Sequence, residues 1–254
     1  MERRLGLVLR AVLRIASSLL YIMGMSSSTD ALPWDLYDAY LFDIDGTLLH
    51  CTDAVHFFAF CEALTALAGR PMNLEGVIAH GNTDVGILRD ALLLAKIPDD
   101  SWRPRLRETQ AFMCRFVEER IGDFRTTVLP AVETVLLHLR ARGAVLGVAT
   151  GNLEGIGRLK LSHCGLLKHF DFGEFSDAYE FRRDVFGGAL KEARRLAGPE
   201  ARICVLGDTP EDVRSAKAHG MDVIAVATGI YSVEELMAEV PTRCLRSLKD
   251  LVAV

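Results

Sequence analysis

Four short apolar segments recur along the chain, and each one ends at a small or polar residue. They cover residues 39–44, 145–150, 202–208 and 223–228, and a weaker candidate covers residues 171–176. An uninterrupted apolar run of this length is typical of a strand that is buried on both faces of a parallel sheet. The pattern therefore predicts a parallel sheet of four strands, with a fifth strand at the weaker segment.

Apolar residues at helical spacing fill the intervals between these strands. The predicted helices cover residues 132–142, 153–163, 185–197 and 211–219. Strands that alternate with helices predict an α/β fold, in which right-handed crossover connections join a doubly wound parallel sheet.

One long stretch after the first strand breaks this alternation, because it contains no convincing strand. Within it, helical periodicity covers residues 56–68, 84–95 and 104–119. We interpret residues 52–123, the helical insert, as a small second domain beside the end of the first strand. The α/β core domain then comprises residues 31–51 and 124–254.

Residues 1–30 form an N-terminal extension that differs from the rest of the chain. Residues 5–25 are apolar but are interrupted by two arginines, which argues against a membrane-spanning helix. We favour a translation start at Met23 or Met25. A basic helix that lies on a membrane surface ranks second, and an export signal ranks third.

Composition narrows the class of protein. The chain has 254 residues, of which 50% are hydrophobic and 25% charged, and this excludes a disordered chain or a small disulfide scaffold. Its formal net charge is -5, so no positive field favours a nucleic-acid partner. The six cysteines are scattered without a metal-binding spacing, so we expect free thiols in a reducing, cytoplasmic compartment.

Acidic residues follow two of the predicted strands, at the edge where ligands bind to open α/β sheets. Asp43 and Asp45 follow the first strand, and Asp208 follows the third. Three carboxylates that converge on one spot repel each other unless a cation lies between them. Carboxylate oxygens suit Mg²⁺, which also accepts water and phosphate oxygens. We therefore expect a magnesium site here.

Hydroxyl and amide donors follow the second strand. Thr150, Gly151 and Asn152 lie just before a predicted helix, where backbone amides bind a phosphoryl group. A carboxylate that is held next to a cation stays ionised and acts as a nucleophile. Together these residues indicate phosphoryl transfer.

Three motifs together resemble those of the haloacid dehalogenase-like hydrolase superfamily. In chain order they are Asp43-x-Asp45-Gly46-Thr47-Leu48, Thr150, and Gly207-Asp208-Thr209-Pro210-x-Asp212. Their order and spacing agree with the family over residues 39–229. The helical insert is similar to the mobile cap of the branch in which the cap follows the first motif.

The resemblance implies a Rossmann-like core and a role for each matched residue. Asp43 would attack phosphorus to form an aspartyl-phosphate, and Asp45 would protonate the leaving oxygen and then activate water. Mg²⁺ would be bound by the Asp43 side chain, the Asp45 carbonyl and Asp208. Asp212 would orient the water shell of the metal or help to hold the site, and Thr150 would bind the transferring phosphoryl group.

The third motif departs from the family pattern. The family usually has a lysine where this sequence has Glu180. The nearest cations are Arg182 and Arg183, and a forked guanidinium group binds phosphate oxygens well. We expect Arg183, rather than Arg182, to replace the lysine.

In the helical insert, Asn82 is a candidate contact for the leaving group.

The sequence therefore predicts a Mg²⁺-dependent phosphatase that hydrolyses a small phosphorylated metabolite. An insert that closes over the substrate would exclude bulk water. Two alternatives stay open, namely a phosphomutase of the same superfamily and a non-catalytic binding protein on the same scaffold. The departure at Glu180 motivates the second alternative, whereas the intact pair Asp43 and Asp45 argues against it.

Overall fold

Eight strands organise the chain in the computed structural model, which describes residues 33–252. They are β1 (Ala39–Phe42), β2 (Leu49–Cys51), β3 (Thr126–Val128), β4 (Val145–Ala149), β5 (Phe172–Glu174), β6 (Ile203–Gly207), β7 (Asp222–Val226) and β8 (Arg243–Leu245). Six of them form one sheet in the order β5-β4-β1-β6-β7-β8, and all neighbouring pairs are parallel. The strands β2 and β3 form a separate antiparallel pair.

The strand β1 lies at the point where the strand order reverses. Its last residue, Phe42, is in register with Val148 of β4 and with Leu206 of β6. Ligands bind at the carboxyl ends of the strands beside such a reversal. The residues that follow β1, β4 and β6 therefore meet at one edge of the sheet.

The predicted doubly wound parallel α/β fold is confirmed. All five predicted strands are present, whereas the sequence pattern missed β2, β3 and β8. Each missed strand has three residues that mix polar and apolar types, and so short a run carries no periodic signal.

Ten helices complete the described part of the chain, residues 33–252. They are α1 (Val55–Ala68), α2 (Asp84–Leu94), α3 (Asp99–Trp102), α4 (Leu106–Glu118), α5 (Val132–Ala141), α6 (Glu154–His163), α7 (Arg182–Ala197), α8 (Pro210–Ala218), α9 (Val233–Ala238) and α10 (Lys249–Val252). The helix predicted over residues 104–119 begins only at Leu106, after a 3₁₀ turn at Arg103–Arg105. Pro104 lies in this turn, where its missing N–H is tolerated.

Apolar clusters stabilise the described structure, and two of them bear on the position of the site. One lies on the sheet and includes Leu41, Phe186 and Val205. The other contains the apolar faces of α1, α2 and α4 together with Leu153 and Ile156, which flank the start of α6. The helix α6 therefore packs against the helical insert, and β2 and β3 carry the chain into and out of that insert. The division into two domains stays a prediction.

The predicted N-terminal extension, residues 1–30, lies outside the described residues. Between residues 33 and 252, no helix combines the length and the apolar character that crossing a bilayer requires. The interpretations of the extension stay predictions.

Candidate active site

A tight turn after β1 places the first pair of acids. Gly46 has a positive φ of 81°, and its N–H donates to the carbonyl of Leu49 at 2.8 Å. A Cβ atom at Gly46 would collide with the Asp208 carboxylate. Glycine is needed here both for the left-handed backbone and for the close approach of β1 and β6 at their carboxyl ends.

Three carboxylates meet at this edge, namely Asp43, Asp208 and Asp212, which we call the acid cluster. One oxygen from each lies within 4.8 Å of the others, and all three residues are buried. The acid cluster therefore brings together three of the four predicted metal ligands.

Burial and mutual repulsion change the ionisation of the acid cluster. Burial raises the pKa of Asp43 to about 6, because the attraction of Arg182 offsets it only in part and the charge of Asp212 adds to it. Burial and the charges of Asp43 and Asp212 also raise the pKa of Asp208 well above its usual range. A cation bound between these groups would relieve the repulsion.

The acid cluster fits a magnesium ion in the chemistry and the spacing of its oxygen atoms. Carboxylate oxygens are the hard ligands that Mg²⁺ prefers. Gly46 and Gly229 allow the Asp208 carboxylate to lie at this edge, because a Cβ atom at either position would collide with it. Asp43 and Asp208 could therefore hold the ion directly.

Asp212 has a different set of partners. Its Oδ2 accepts hydrogen bonds from Thr209 Oγ1 at 2.7 Å and from Thr209 N at 3.0 Å, within the capping box that begins α8. Its Oδ1 accepts a hydrogen bond from Arg182 Nε at 2.7 Å. Asp212 thus fixes the start of α8 and one buried guanidinium group, which fits a residue that helps to hold the site.

Arg182 supplies the cation of this site. Its Nη2 lies 2.8 Å from Asp43 Oδ1 and 2.7 Å from Asp212 Oδ1. Its Nη1 points towards the loop after β4, since a Cβ atom on Gly151 would lie 3.1 Å from it. The buried guanidinium group therefore connects the acid cluster with the expected phosphoryl-binding loop.

The structure does not bring Arg183 into the site, although we expected this residue to replace the family's lysine. The Arg183 side chain is 63% exposed and lies 3.8 Å from Asp184. Consecutive residues of an α-helix point about 100° apart, so only one of the two arginines at the start of α7 can face the acids. The structure places Arg182 in that position.

Asp45 turns its carboxylate away from the acid cluster. Its oxygens bind Lys160 Nζ at 2.8 and 2.9 Å and accept further hydrogen bonds from Asn152 Nδ2 at 2.8 Å and Cys51 Sγ at 3.0 Å. Burial alone would raise the pKa of Asp45, but the Lys160 charge and these hydrogen bonds outweigh it and lower that pKa. The atom of Asp45 that could contact the metal ion, as expected, is therefore its backbone carbonyl oxygen.

Sequence reasoning missed Lys160. This lysine lies on the buried face of α6, which also contains Ile156, Gly157 and Leu161. A lysine within the apolar stripe of an amphipathic helix is rare unless it is paired. The position of Lys160 within this apolar stripe was therefore the sequence feature that could have identified it.

The loop after β4 has the expected donors and lies under the helical insert. Thr150 is buried, and its Oγ1 accepts hydrogen bonds from the Asn152 side chain at 2.8 Å and from Asn152 N at 3.3 Å. The carbonyl of Gly151 accepts a hydrogen bond from the N–H of Asp84 at 2.7 Å. The insert residue Asp84 thus begins α2 directly on this loop.

Asn82, the candidate leaving-group contact, directs its side chain into the insert instead. Its Nδ2 donates to Asp90 Oδ2 at 2.9 Å, and its Oδ1 accepts a hydrogen bond from Thr83 N at 2.8 Å. Only its backbone carbonyl lies against Gly151.

Glu180, at the position where the family usually has a lysine, binds two arginines of the insert. Its carboxylate pairs with Arg103 and lies 3.4 Å from Arg89. Its backbone carbonyl accepts a hydrogen bond from Thr83 Oγ1 at 2.9 Å. Glu180 therefore connects the insert to the loop before α7.

Comparisons with known proteins agree with this geometry. A family model described as haloacid dehalogenase-like hydrolase matches residues 37–220. A phosphoglycolate phosphatase of Cereibacter sphaeroides is 31% identical over 183 residues, which cover 71% of this chain and 81% of that protein. The protein named "Probable phosphatase IndB" of Dickeya dadantii is 26% identical over 212 residues, covering 84% of this chain and 90% of its own length.

A solved structure shows the same fold. CbbY from Rhodobacter sphaeroides in complex with phosphate matches with a TM-score of 0.64 at 21% identity, and the match covers 85% of this chain and 96% of that chain. The family model spans most of the chain described above, including all the motifs at the strand ends. The predicted resemblance is confirmed, and the chain belongs to the haloacid dehalogenase-like hydrolases.

Proposed function

We propose that this protein is a Mg²⁺-dependent phosphatase that hydrolyses a small phosphate monoester through an aspartyl-phosphate on Asp43. The observation that carries the proposal is the placement of the Asp43 carboxylate. It lies within the acid cluster and 2.8 Å from the guanidinium group of Arg182. A nucleophile, a cation for phosphoryl oxygens and ligands for a metal are thus present at one point.

In the first half-reaction, an Asp43 oxygen attacks phosphorus while the bond from phosphorus to the leaving oxygen breaks. Asp45 gives a proton to that oxygen, and it must be protonated for this step although its ion pair with Lys160 favours the carboxylate in the structure. Arg182, the Thr150 hydroxyl and the amides of Gly151 and Asn152 bind the phosphoryl oxygens. Mg²⁺ held by Asp43, the Asp45 carbonyl and Asp208 would supply further positive charge to these oxygens.

In the second half-reaction, Asp45 takes a proton from water as that water attacks phosphorus. The bond between Asp43 and phosphorus breaks, so inorganic phosphate leaves and Asp43 returns as a carboxylate. Asp45 ends this step protonated and is ready for the next ester.

We assign to Arg182 the role that the family's lysine usually has. Its Nη2 contacts Asp43, and its Nη1 points towards Gly151. Since a guanidinium group has a fixed fork of donors, it can bind the nucleophile and a phosphoryl oxygen together. This assignment also weakens the case for a non-catalytic binding protein, because that case depended on the missing lysine.

The helical insert, residues 52–123, acts in this proposal as a cap over the core. The N–H of Asp84 binds the carbonyl of Gly151, and Thr83 binds the carbonyl of Glu180. An insert seated on the phosphoryl-binding loop would exclude bulk water from the reacting groups. The relatives that are named phosphatases support a small phosphorylated metabolite as the substrate class.

A panel of phosphate esters tests the proposal. The purified protein should release phosphate from at least one small ester with Mg²⁺, and release should stop when the metal is chelated. Asp43→Asn should abolish turnover and keep the fold, as judged by circular dichroism. Absence of turnover with every ester, by folded protein in Mg²⁺, would contradict the proposed activity.

A further inference from the structure

Lys160 makes a set of contacts to which the proposed mechanism assigns no role. Its side chain is 6% exposed. Its ammonium group binds both oxygens of Asp45, the Oδ1 of Asn152 at 2.9 Å and the Nδ1 of His56 at 3.3 Å. An ammonium group has three N–H donors and no acceptor, so Asp45, Asn152 and His56 account for all of them.

The third partner comes from the helical insert, whereas the other two come from the core. His56 lies on α1, and its ring stacks on Phe60 with the ring centres 5.0 Å apart. Since Lys160 can only donate, Nδ1 of His56 accepts and the ring proton sits on Nε2. That Nε2 lies 3.1 Å from Oδ2 of Asp84, which is therefore the acceptor.

Asp84 joins this chain back to the core. Its Oδ2 also accepts a hydrogen bond from the N–H of Leu153 at 2.8 Å, and Asp84 is buried. The chain Asp84, His56, Lys160, Asp45 thus passes from the start of α6 through two insert residues to the carboxylate beside the nucleophile. Two of its contacts join the insert to the core and form only when the insert is seated, namely Leu153 N–H to Asp84 and Lys160 to His56.

We propose that Lys160 is the positioning residue for Asp45, and that His56 and Asp84 couple the seating of the insert to the orientation of that carboxylate. Lys160 does not contact the acid cluster, and its hydrogen bond to the phosphoryl-binding loop goes to the side-chain oxygen of Asn152 and not to a backbone amide. An effect on turnover that is exerted through Asp45 depends on the leaving group, whereas an effect exerted through the Asn152 side chain does not, so a comparison of esters separates the two. The inference rests on the proposed function for its kinetic consequence, but the hydrogen-bonded chain can be tested without it.

Lys160→Met is the direct test, and Lys168→Met is the matched control because Lys168 is an exposed lysine of the core. We expect Lys160→Met to lower kcat by about 10²-fold for an alkyl phosphate, with KM unchanged within a factor of about three. The loss should be several-fold smaller for p-nitrophenyl phosphate, whose leaving oxygen needs little protonation. An equal loss for both esters, or no loss relative to Lys168→Met, would overturn the proposal.

A double-mutant cycle tests the coupling to the insert. His56→Leu alone should lower kcat for the alkyl ester by about tenfold, and it should have almost no further effect in the Lys160→Met background. Independent effects that multiply would show that His56 does not act through Lys160. If Lys160→Met does not fold, the losses of kcat for the two esters can still be compared in His56→Leu.

A nuclear magnetic resonance measurement separates this inference from the proposed function. In ¹⁵N-histidine-labelled wild-type protein, we expect His56 to be the Nε2–H tautomer with Nδ1 as a hydrogen-bond acceptor. The Nδ1 shift should move in Lys160→Met and stay the same in Lys168→Met. An Nδ1–H tautomer in the wild type would overturn the inference even if esters are hydrolysed, whereas the expected tautomer without turnover would contradict only the proposed function.

Discussion

The Nη2 atom of Arg182 lies 2.8 Å from Oδ1 of Asp43, so the cation of the site directly contacts the carboxylate that we propose as the nucleophile. The same atom lies 2.7 Å from Asp212, which is bound in turn to the first residues of α8. One buried guanidinium group therefore connects the residue that follows β1, the first turn of α8 and the start of α7. The predictions below follow from this arrangement.

Arg182 and Arg183 should differ sharply when each is replaced. Arg182→Lys keeps the charge but loses the fork, so we expect kcat to fall by about 10²-fold in steady-state assays with Mg²⁺. Arg183→Lys should stay within about twofold of the wild type, because that side chain is exposed. Equal losses in the two variants would contradict the assignment of Arg182.

Asp208→Asn should stabilise the metal-free protein while it weakens the metal site. The amide removes one of three repelling buried carboxylates, so we expect a gain of ~1–3 kcal/mol in the free energy of unfolding at pH 7 with chelator present. Added Mg²⁺ should raise the melting temperature of the wild type and have little effect on the variant. The exposed Asp100→Asn is the control, and a metal response that survives in Asp208→Asn would refute the ligand role of Asp208.

The stability of the metal-free protein should fall as pH rises from about 4 to about 6. The pKa of Asp43 is raised from 3.8 to about 6 in the folded state, chiefly by burial, so the folded protein binds more protons than the unfolded chain in this range. The free energy of unfolding that this group contributes is therefore greatest at low pH, and up to about 3 kcal/mol is lost by pH 7. Denaturant titrations of wild type and Asp43→Asn in chelator isolate this contribution as their difference, and a difference that does not vary with pH would contradict it.

Glu180 should hold the helical insert on the core. Glu180→Gln removes the charge that pairs with Arg89 and Arg103, so we expect KM to rise several-fold while kcat changes little. Hydrogen exchange of the Asp84 amide, which donates to the carbonyl of Gly151, should become faster. Unchanged exchange at this amide would show that the insert does not depend on Glu180.

The sequence was sufficient for the fold class, for five of the eight strands and for the acids at the strand ends. The apolar runs that end near Asp43 and Asp208 identify two strands of the sheet. Because the carboxyl ends of parallel strands lie at the same edge of a sheet, the runs also predict that these two acids lie close together. The choice between Arg182 and Arg183 could not be made in this way. It depends on the residue at which α7 begins, and a shift by one residue turns a side chain by about 100°.

The residues that bind Asp45 also could not be predicted from the sequence pattern. Lys160 is distant in sequence from Asp45, and their contact depends on how α6 packs in the folded chain. The orientation of Asn82, the candidate contact for the leaving group, also depends on local structure. Hydrogen bonds to Asp90 and Thr83 turn its amide into the insert.

The covalent intermediate is the most direct test of the central claim. Protein that is quenched in acid during turnover with Mg²⁺ and a hydrolysed ester, then reduced with borohydride, should contain homoserine in place of Asp43 when its peptides are analysed by mass spectrometry. The account predicts this conversion at Asp43, and predicts that chelator prevents it. Rapid turnover with no conversion at Asp43, or with a phosphoryl group trapped on another side chain, would contradict the account.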